Sequence, residues 1–393
     1  MARSVVAPQV VNIADLRRLA KRRLPRMVFD YVDGGADAEI TLRDKSKAFE
    51  EFTFRPRGAV SVPACNLKTT VMGHALELPF ILAPVGSSRT LYPNAEVLAA
   101  RAAGDAGTAY VLSTLSGTPM EEVRAATKAP AWYQVYLCGG REASVRMLER
   151  AQAAGFTALV VTIDTGVPGL RERDVRNGVR ELLGGGMAAV PYIGQVLAKP
   201  GWLAGLLADG GLMVFPNVML PTGPMPYADV GKALEQSVVC WDDLTWIRKL
   251  WNGRIMVKGV QTGEDARRVV EEGCDALVVS NHGGRQLDGV PGSLRSLPEV
   301  LAAVNNRVEV LVDGGVRSGG DVVKALAMGA RAVLVGRAYA YGLAAAGQAG
   351  VGRAIEILRT GMIRTMKLLG VSSVQDLNQS YVDVPAHWRA DAR

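Results

Sequence analysis

A chain of 393 residues with 49% apolar side chains, 21% charged ones and 44 glycines can bury a large core and make many tight turns. That composition excludes an intrinsically disordered chain and fits an α/β protein. The net charge of +7 comes from scattered basic residues, and the one short run, Lys21-Arg22-Arg23, reads as a solvated helix face, so no nucleic-acid partner is expected.

The four cysteines, Cys65, Cys138, Cys240 and Cys274, show no Cys-x-x-Cys spacing. They predict no disulfide framework and no metal site, which points to a reducing compartment. No apolar signal-type run follows Met1, so a cytoplasmic location is the expectation.

Residues 1–78 read as an N-terminal cap, with a helix over 13–31 and a turn-rich stretch over 52–73. Short β-branched, apolar runs then recur at 79–83, 108–112, 131–135 and 158–163. After a gap they resume at 254–257, 276–279, 308–312 and 332–335. Helix-like segments at 96–106, 141–154, 264–272 and 320–328 lie between them, each ending near a glycine. Eight strands alternating with helices predict a closed (β/α)₈ TIM barrel over 79–370, in one domain of 1–393 with a tail at 371–393.

The spacing fails once, between the fourth and fifth strands, where 178–237 forms an insertion. It carries no charge over 182–198 or 210–228, yet its glycines and prolines forbid a continuous membrane-spanning helix. Two readings follow from this loop-like segment: an active-site lid, or an apolar patch lying in a membrane interface.

In such a barrel the chemistry sits where the strands end. Those positions hold Pro84-Val85-Gly86, Ser113-Thr114, Gln134-x-Tyr136, Thr162-x-Asp164, Lys258-Gly259, Ser280-Asn-His-Gly-Gly-Arg285, Asp313-Gly-Gly-Val-Arg317 and Gly336-Arg337. Gly314, Gly315, Arg317 and Arg337, after strands seven and eight, predict a phosphate site. No Gly-x-Gly-x-x-Gly follows a strand, which leaves a Rossmann dinucleotide site without support.

His282 is one of three histidines and the one at a strand end, a candidate base oriented by Asp164. Arg285 and Arg171 can clamp a carboxylate, or simply pair with Asp288 and Asp174 on solvated loops. Tyr31 and Tyr136 can donate to substrate oxygens. Lys258 fits either a fixed cation beside an electron-rich cofactor or a Schiff-base nucleophile, as in barrel aldolases. A silent barrel that only binds a phosphate ligand is the non-enzymatic alternative.

The stretch Ser280-Asn-His-Gly-Gly-Arg-Gln-Leu-Asp288, with Val257-Lys-Gly259 and Asp313-Gly-Gly-Val-Arg317, resembles the FMN-dependent L-2-hydroxy acid oxidases and dehydrogenases. The resemblance runs from Phe29-Asp-Tyr31 through Arg171-Glu-Arg-Asp174 to Gly336-Arg337. It implies that His282 is the base with Asp164 behind it, and that Tyr31, Tyr136, Arg171 and Arg285 hold the substrate. Lys258 would face the flavin rather than form a Schiff base. Pro84, Val85, Gly86, Ser113, Gln134, Thr162 and Ser280 would contact the ring or ribityl chain, and Asp313, Gly315, Arg317, Gly336 and Arg337 the ribityl chain and phosphate.

Gly86 and Leu115 stand where the glycolate-oxidase branch has alanine and tryptophan, which suggests a larger or looser pocket. With Gly169-Leu-Arg-Glu-Arg-Asp174 and the apolar insertion, this is more similar to the membrane-associated mandelate dehydrogenases. The resemblance thus implies oxidation of a mandelate-like or lactate-like acid, with electrons leaving to a quinone, a cytochrome or O₂. It also implies a homotetramer, and a peripheral position on the inner face of the cytoplasmic membrane.

Overall fold

The computed structural model describes residues 9–184, 186–211 and 213–388. Positions 1–8 of the expected cap, 185 and 212 of the insertion and 389–393 of the tail lie outside the described residues. Eight strands form one closed barrel: β1 (Phe80–Leu82), β2 (Tyr110–Ser113), β3 (Ala131–Val135), β4 (Ala158–Thr162), β5 (Arg254–Val260), β6 (Ala276–Val279), β7 (Glu309–Asp313) and β8 (Ala332–Val335). All pair in parallel; β5 sets Met256 opposite Val160 of β4, and β8 closes the ring with Leu334 opposite Ile81 of β1. Each strand grows from one of the runs read in the sequence, and the four helices begin one residue earlier than expected, at Ala95, Gly140, Gly263 and Gly319.

Strand periodicity positions the site. Ile81, Val111, Trp132, Val160, Met256, Val278, Leu311 and Leu334 share one buried cluster that fills the barrel interior. Because side chains alternate with a period of two, the next inward positions are Ala83, Ser113, Gln134, Thr162, Lys258, Ser280, Asp313 and Gly336. A dry layer therefore carries a mostly polar layer at the C-terminal mouth. Trp132 is fully buried in the dry layer, and its replacement by alanine should cost about 3–5 kcal/mol.

The expected 13–31 helix is broken into Ile13–Arg23 and Arg26–Asp33. Pro25 supplies no N–H and drives Leu24 to extended backbone, ψ 149°. A third helix, Ile40–Glu50, brings Lys45 to the mouth, with its ammonium on the Gly283 carbonyl at 2.8 Å.

The insertion is more regular than its composition suggested. It contains helices Val179–Gly184, Ile193–Leu197, Pro200–Ala208 and Val230–Glu235, and an antiparallel hairpin of Val214–Leu220 with Gly223–Pro226. A two-stranded ribbon has edges on both sides, so Pro216, Pro224 and Pro226 deprive few partners of a hydrogen bond. The hairpin shares a small core with the barrel mouth, where Phe215, Val218 and Met225 pack with Leu115, Tyr136 and Cys138. Among the described residues no helix is long and apolar enough to cross a membrane.

Candidate active site

After β6 the backbone takes three successive left-handed residues, His282 (φ 55°), Gly283 (φ 65°) and Gly284 (φ 73°). For a histidine that conformation costs on the order of 1 kcal/mol, and such strain clusters at working sites. It presents an imidazole held at both nitrogens, with Nδ1 2.9 Å from Asp164 Oδ1 and Nε2 3.4 Å from the Tyr136 hydroxyl.

Space for Asp164 depends on Gly259, since a Cβ there would lie 2.7 Å from the Asp164 Cβ, at φ 109°. Burial alone would raise the Asp164 carboxyl, but the charge and hydrogen bond of His282, with Lys258 beyond, hold it below the usual carboxylate range.

Lys258 is 4% exposed. It donates to Ser280 Oγ at 2.9 Å and lies 3.1 Å from Asp313 Oδ2. Burial pushes its ammonium down, yet Asp313 and then Asp164 reverse this and leave it above the ordinary lysine value. A Schiff-base lysine needs the opposite shift, so these surroundings favour the fixed cation. Beside it Ser113 donates to Gln134 Oε1 and Gln134 to Thr162 Oγ1, both at 3.1 Å.

Arg171 keeps the local pairing the sequence left open, with Nε 2.9 Å from Asp174 Oδ2. Arg285 does not pair with Asp288, whose carboxylate instead accepts the Ile40 and Thr41 N–H groups. Its guanidinium lies 4.8 Å from the centre of the Tyr31 ring and donates to the Tyr31 and Gly34 carbonyls. Burial, and then the charge of Arg171, push Arg285 below the ordinary arginine value. Two guanidinium groups thus face one space, with the nearby Asp174 carboxylate engaged by Arg171. The Tyr31 hydroxyl donates to the Gly86 carbonyl at 3.3 Å. Gly86 leaves no void, because a Cβ there would sit 3.2 Å from that of Leu115.

At the other end of the cavity Arg337 is partly buried and donates to the carbonyls of Val32, Gly34 and Gly283. Burial, with repulsion from Arg285, lowers it to about 9. The helical segment Arg337–Leu369, broken at Ala346 and Gly347, starts here without a side-chain cap.

One cavity is lined by Tyr31, Pro84, Val85, Gly86, Ser113, Gln134, Tyr136, Thr162, Arg171, Lys258, His282, Arg285, Asp313, Gly315, Arg317, Gly336 and Arg337. Asp164 and Ser280 stand behind its wall, touching His282 and Lys258. Lys45, Pro168, Tyr227, Val230 and Leu234 also line it, and sequence reasoning missed them. Tyr227, Val230 and Leu234 come from the insertion, whose lid reading was the available signal; Lys45 gave none.

The cavity fits a phosphorylated cofactor. Asp313 Oδ1 is buried without a partner, as an acceptor facing a hydroxyl-bearing chain would be. Gly315, which lines the cavity, carries the loop after β7 at φ 90° directly against the cap helix, where a Cβ would lie 2.2 Å from the Lys45 carbonyl oxygen. An uncapped helix start beside Arg317 and Arg337 is suited to a phosphate.

A model described as FMN-dependent dehydrogenase matches residues 20–384, so this chain belongs to the FMN-dependent dehydrogenase family, whose cofactor is FMN. Among its relatives, an L-lactate dehydrogenase of Caulobacter vibrioides is 42% identical over 94% of this chain and 97% of its own. An L-lactate oxidase of Nostoc sp. is 41% identical over 95% and 98%. In structure the chain is similar to the monotopic membrane protein (S)-mandelate dehydrogenase, with a TM-score of 0.89 and 33% identity over 95% of this chain and 99% of that one.

Proposed function

We propose that this protein oxidises an L-2-hydroxy acid to the 2-keto acid with His282 as the base. The carrying observation is His282 held by Asp164 with Nε2 directed to the cavity that Arg285 and Arg171 also line. FMN supplies the two-electron acceptor that no side chain can provide.

The chain's own residues do the rest. Arg285 and Arg171 bind the substrate carboxylate, and Tyr31 and Tyr136 take its oxygens by hydrogen bonds. Asp164, ionised on Nδ1–H, keeps Nε2 as the acceptor and stabilises the imidazolium once the proton arrives. Lys258 presents a fixed positive charge to the ring. Ser113, Gln134, Thr162 and Ser280, with Pro84, Val85 and Gly86, hold the ring and ribityl chain. Asp313, Gly315, Arg317, Gly336 and Arg337 hold the ribityl chain and phosphate.

Leu115, Val230 and Leu234 give the substrate side chain an apolar wall, which admits a methyl or a phenyl group. Lactate-named relatives and a mandelate-named structure support the same two classes. Anaerobic addition of L-lactate or (S)-mandelate should bleach the flavin absorption. A flavin that neither acid bleaches would overturn the proposed substrate class.

The acceptor we propose is a membrane quinone or an electron carrier. In the insertion, Met187 is 85% exposed, Leu207 64% and Leu197 62%, apolar surface suited to a membrane interface on the cytoplasmic side. The oxidase alternative is favoured by the similarity to the Nostoc enzyme. Rapid peroxide formation in air would select that alternative, and unchanged membrane partition after deletion of 178–237 would remove the membrane patch. A homotetramer is proposed from the family pattern, to be checked by light scattering.

A further inference from the structure

We infer that Lys45, carried in by the N-terminal cap, is a third cation for the phosphate of the cofactor. This rests on the reading that FMN occupies the cavity. Lys45 is 2% exposed and lines that cavity. Its ammonium has three donors, yet its hydrogen bond goes to one acceptor, the Gly283 carbonyl at 2.8 Å. Arg337 donates to the same carbonyl oxygen, also at 2.8 Å. Two cations therefore converge where the loops after β6 and β7 meet.

The charges around Lys45 do not balance it. Arg337, Arg317 and Arg285 repel it, and Asp313, the attractive neighbour, is already 3.1 Å from Lys258. Burial and these guanidinium groups push Lys45 well below the usual lysine value. A methionine or leucine would fill the same space without the desolvation cost. The arrangement becomes favourable when an anion of nearly two charges enters beside the three cations. Contact between the Lys45 backbone and Gly315 places the helix against the phosphate loop.

The test compares wild type with K45M and K45R, measuring FMN release from the holoenzyme by fluorescence recovery, riboflavin binding to the flavin-depleted full chain, and thermal midpoints. K45M should weaken FMN about tenfold to a hundredfold, the range of a charge-assisted bond. It should leave riboflavin, which lacks the phosphate, within about twofold, and should raise the midpoint of the flavin-free protein. K45R should keep most of the FMN affinity. K45Q keeps a donor for Gly283 and should reproduce the FMN-against-riboflavin contrast if K45M does not fold. Unchanged FMN release in K45M, or equal weakening of FMN and riboflavin, would overturn the inference. A wild type that binds neither flavin would instead overturn the cofactor reading, and this inference with it.

Discussion

The two ends of the cavity differ in how their charges are closed. Around β4 to β7 the groups that do the chemistry meet carboxylates, with Lys258 on Asp313 and the His282 ring on Asp164. At the opposite end Lys45, Arg317 and Arg337 end on backbone carbonyls and, among the described residues, form no ion pair. The first end is organised before any ligand arrives. The second is built around an anion that the protein itself does not supply.

The largest expected effect lies at the closed end. H282A should lower turnover about 10⁴-fold, the upper range for a general base, and D164N about 10²-fold or more. Both should retain FMN, because neither residue belongs to the phosphate end. Stopped-flow bleaching under anaerobic conditions checks this, and an H282A enzyme within tenfold of wild type would break the assignment.

K258M sharpens the contrast, because it leaves Asp313 buried without its cation. Breaking such a pair typically costs about 3 kcal/mol, so the thermal midpoint should fall. In flavin-free protein K45M should shift it the other way. If both variants move the midpoint alike, the distinction between a balanced and an unbalanced end fails.

Within the substrate cluster, Arg285 forms no ion pair among the described residues, while Arg171 is tied to Asp174. R285K, which gives up a planar fork stacked on Tyr31, should therefore lose about 10²-fold in kcat/KM, and R171K about tenfold. Steady-state kinetics on the two variants decides the order, and equal losses would make the Asp174 pairing irrelevant.

What the sequence made legible follows from periodicity. The strands are marked by short continuous apolar runs, and the alternation of side chains along them puts the residues two places beyond Val111 or Met256 on the polar layer. Lys258 and Asp313 could be found in that way, and His282 as the histidine that follows the end of β6. Lys45 could not, because on the segment Ile40–Glu50 it reads as one more charged position of an amphipathic helix. Its burial is a product of tertiary packing against the loops after β6 and β7. The hairpin of the insertion was likewise hidden, since its prolines and uncharged stretches look like a loop until the ribbon finds Leu115 and Tyr136 to pack on. Pro25 was visible, but its break of the first helix is a local rule that the hydrophobic pattern overrode.

The smallest effect concerns the strap that furnishes the open end with carbonyls. Val32 and Gly34, which hold Arg337, flank Asp33, whose carboxylate accepts from Arg17 at 2.6 Å and from the Tyr341 hydroxyl at 2.7 Å. Burial would raise this carboxyl, but the hydrogen bonds of Arg17 and Tyr341 outweigh it and hold it at about 2. A carboxylate with a depressed folded pKa contributes stability that is present above about pH 4. That contribution is lost as the pH falls through about 2. D33N should therefore cost about 1–2 kcal/mol near neutrality and flatten the loss of stability between pH 4 and 2, measured by denaturant unfolding. Its effect on His282-dependent turnover should be smaller than that of R285K, because the strap meets the substrate cluster through the Gly34 carbonyl, which accepts from Arg285 and Arg337 without needing the Asp33 charge.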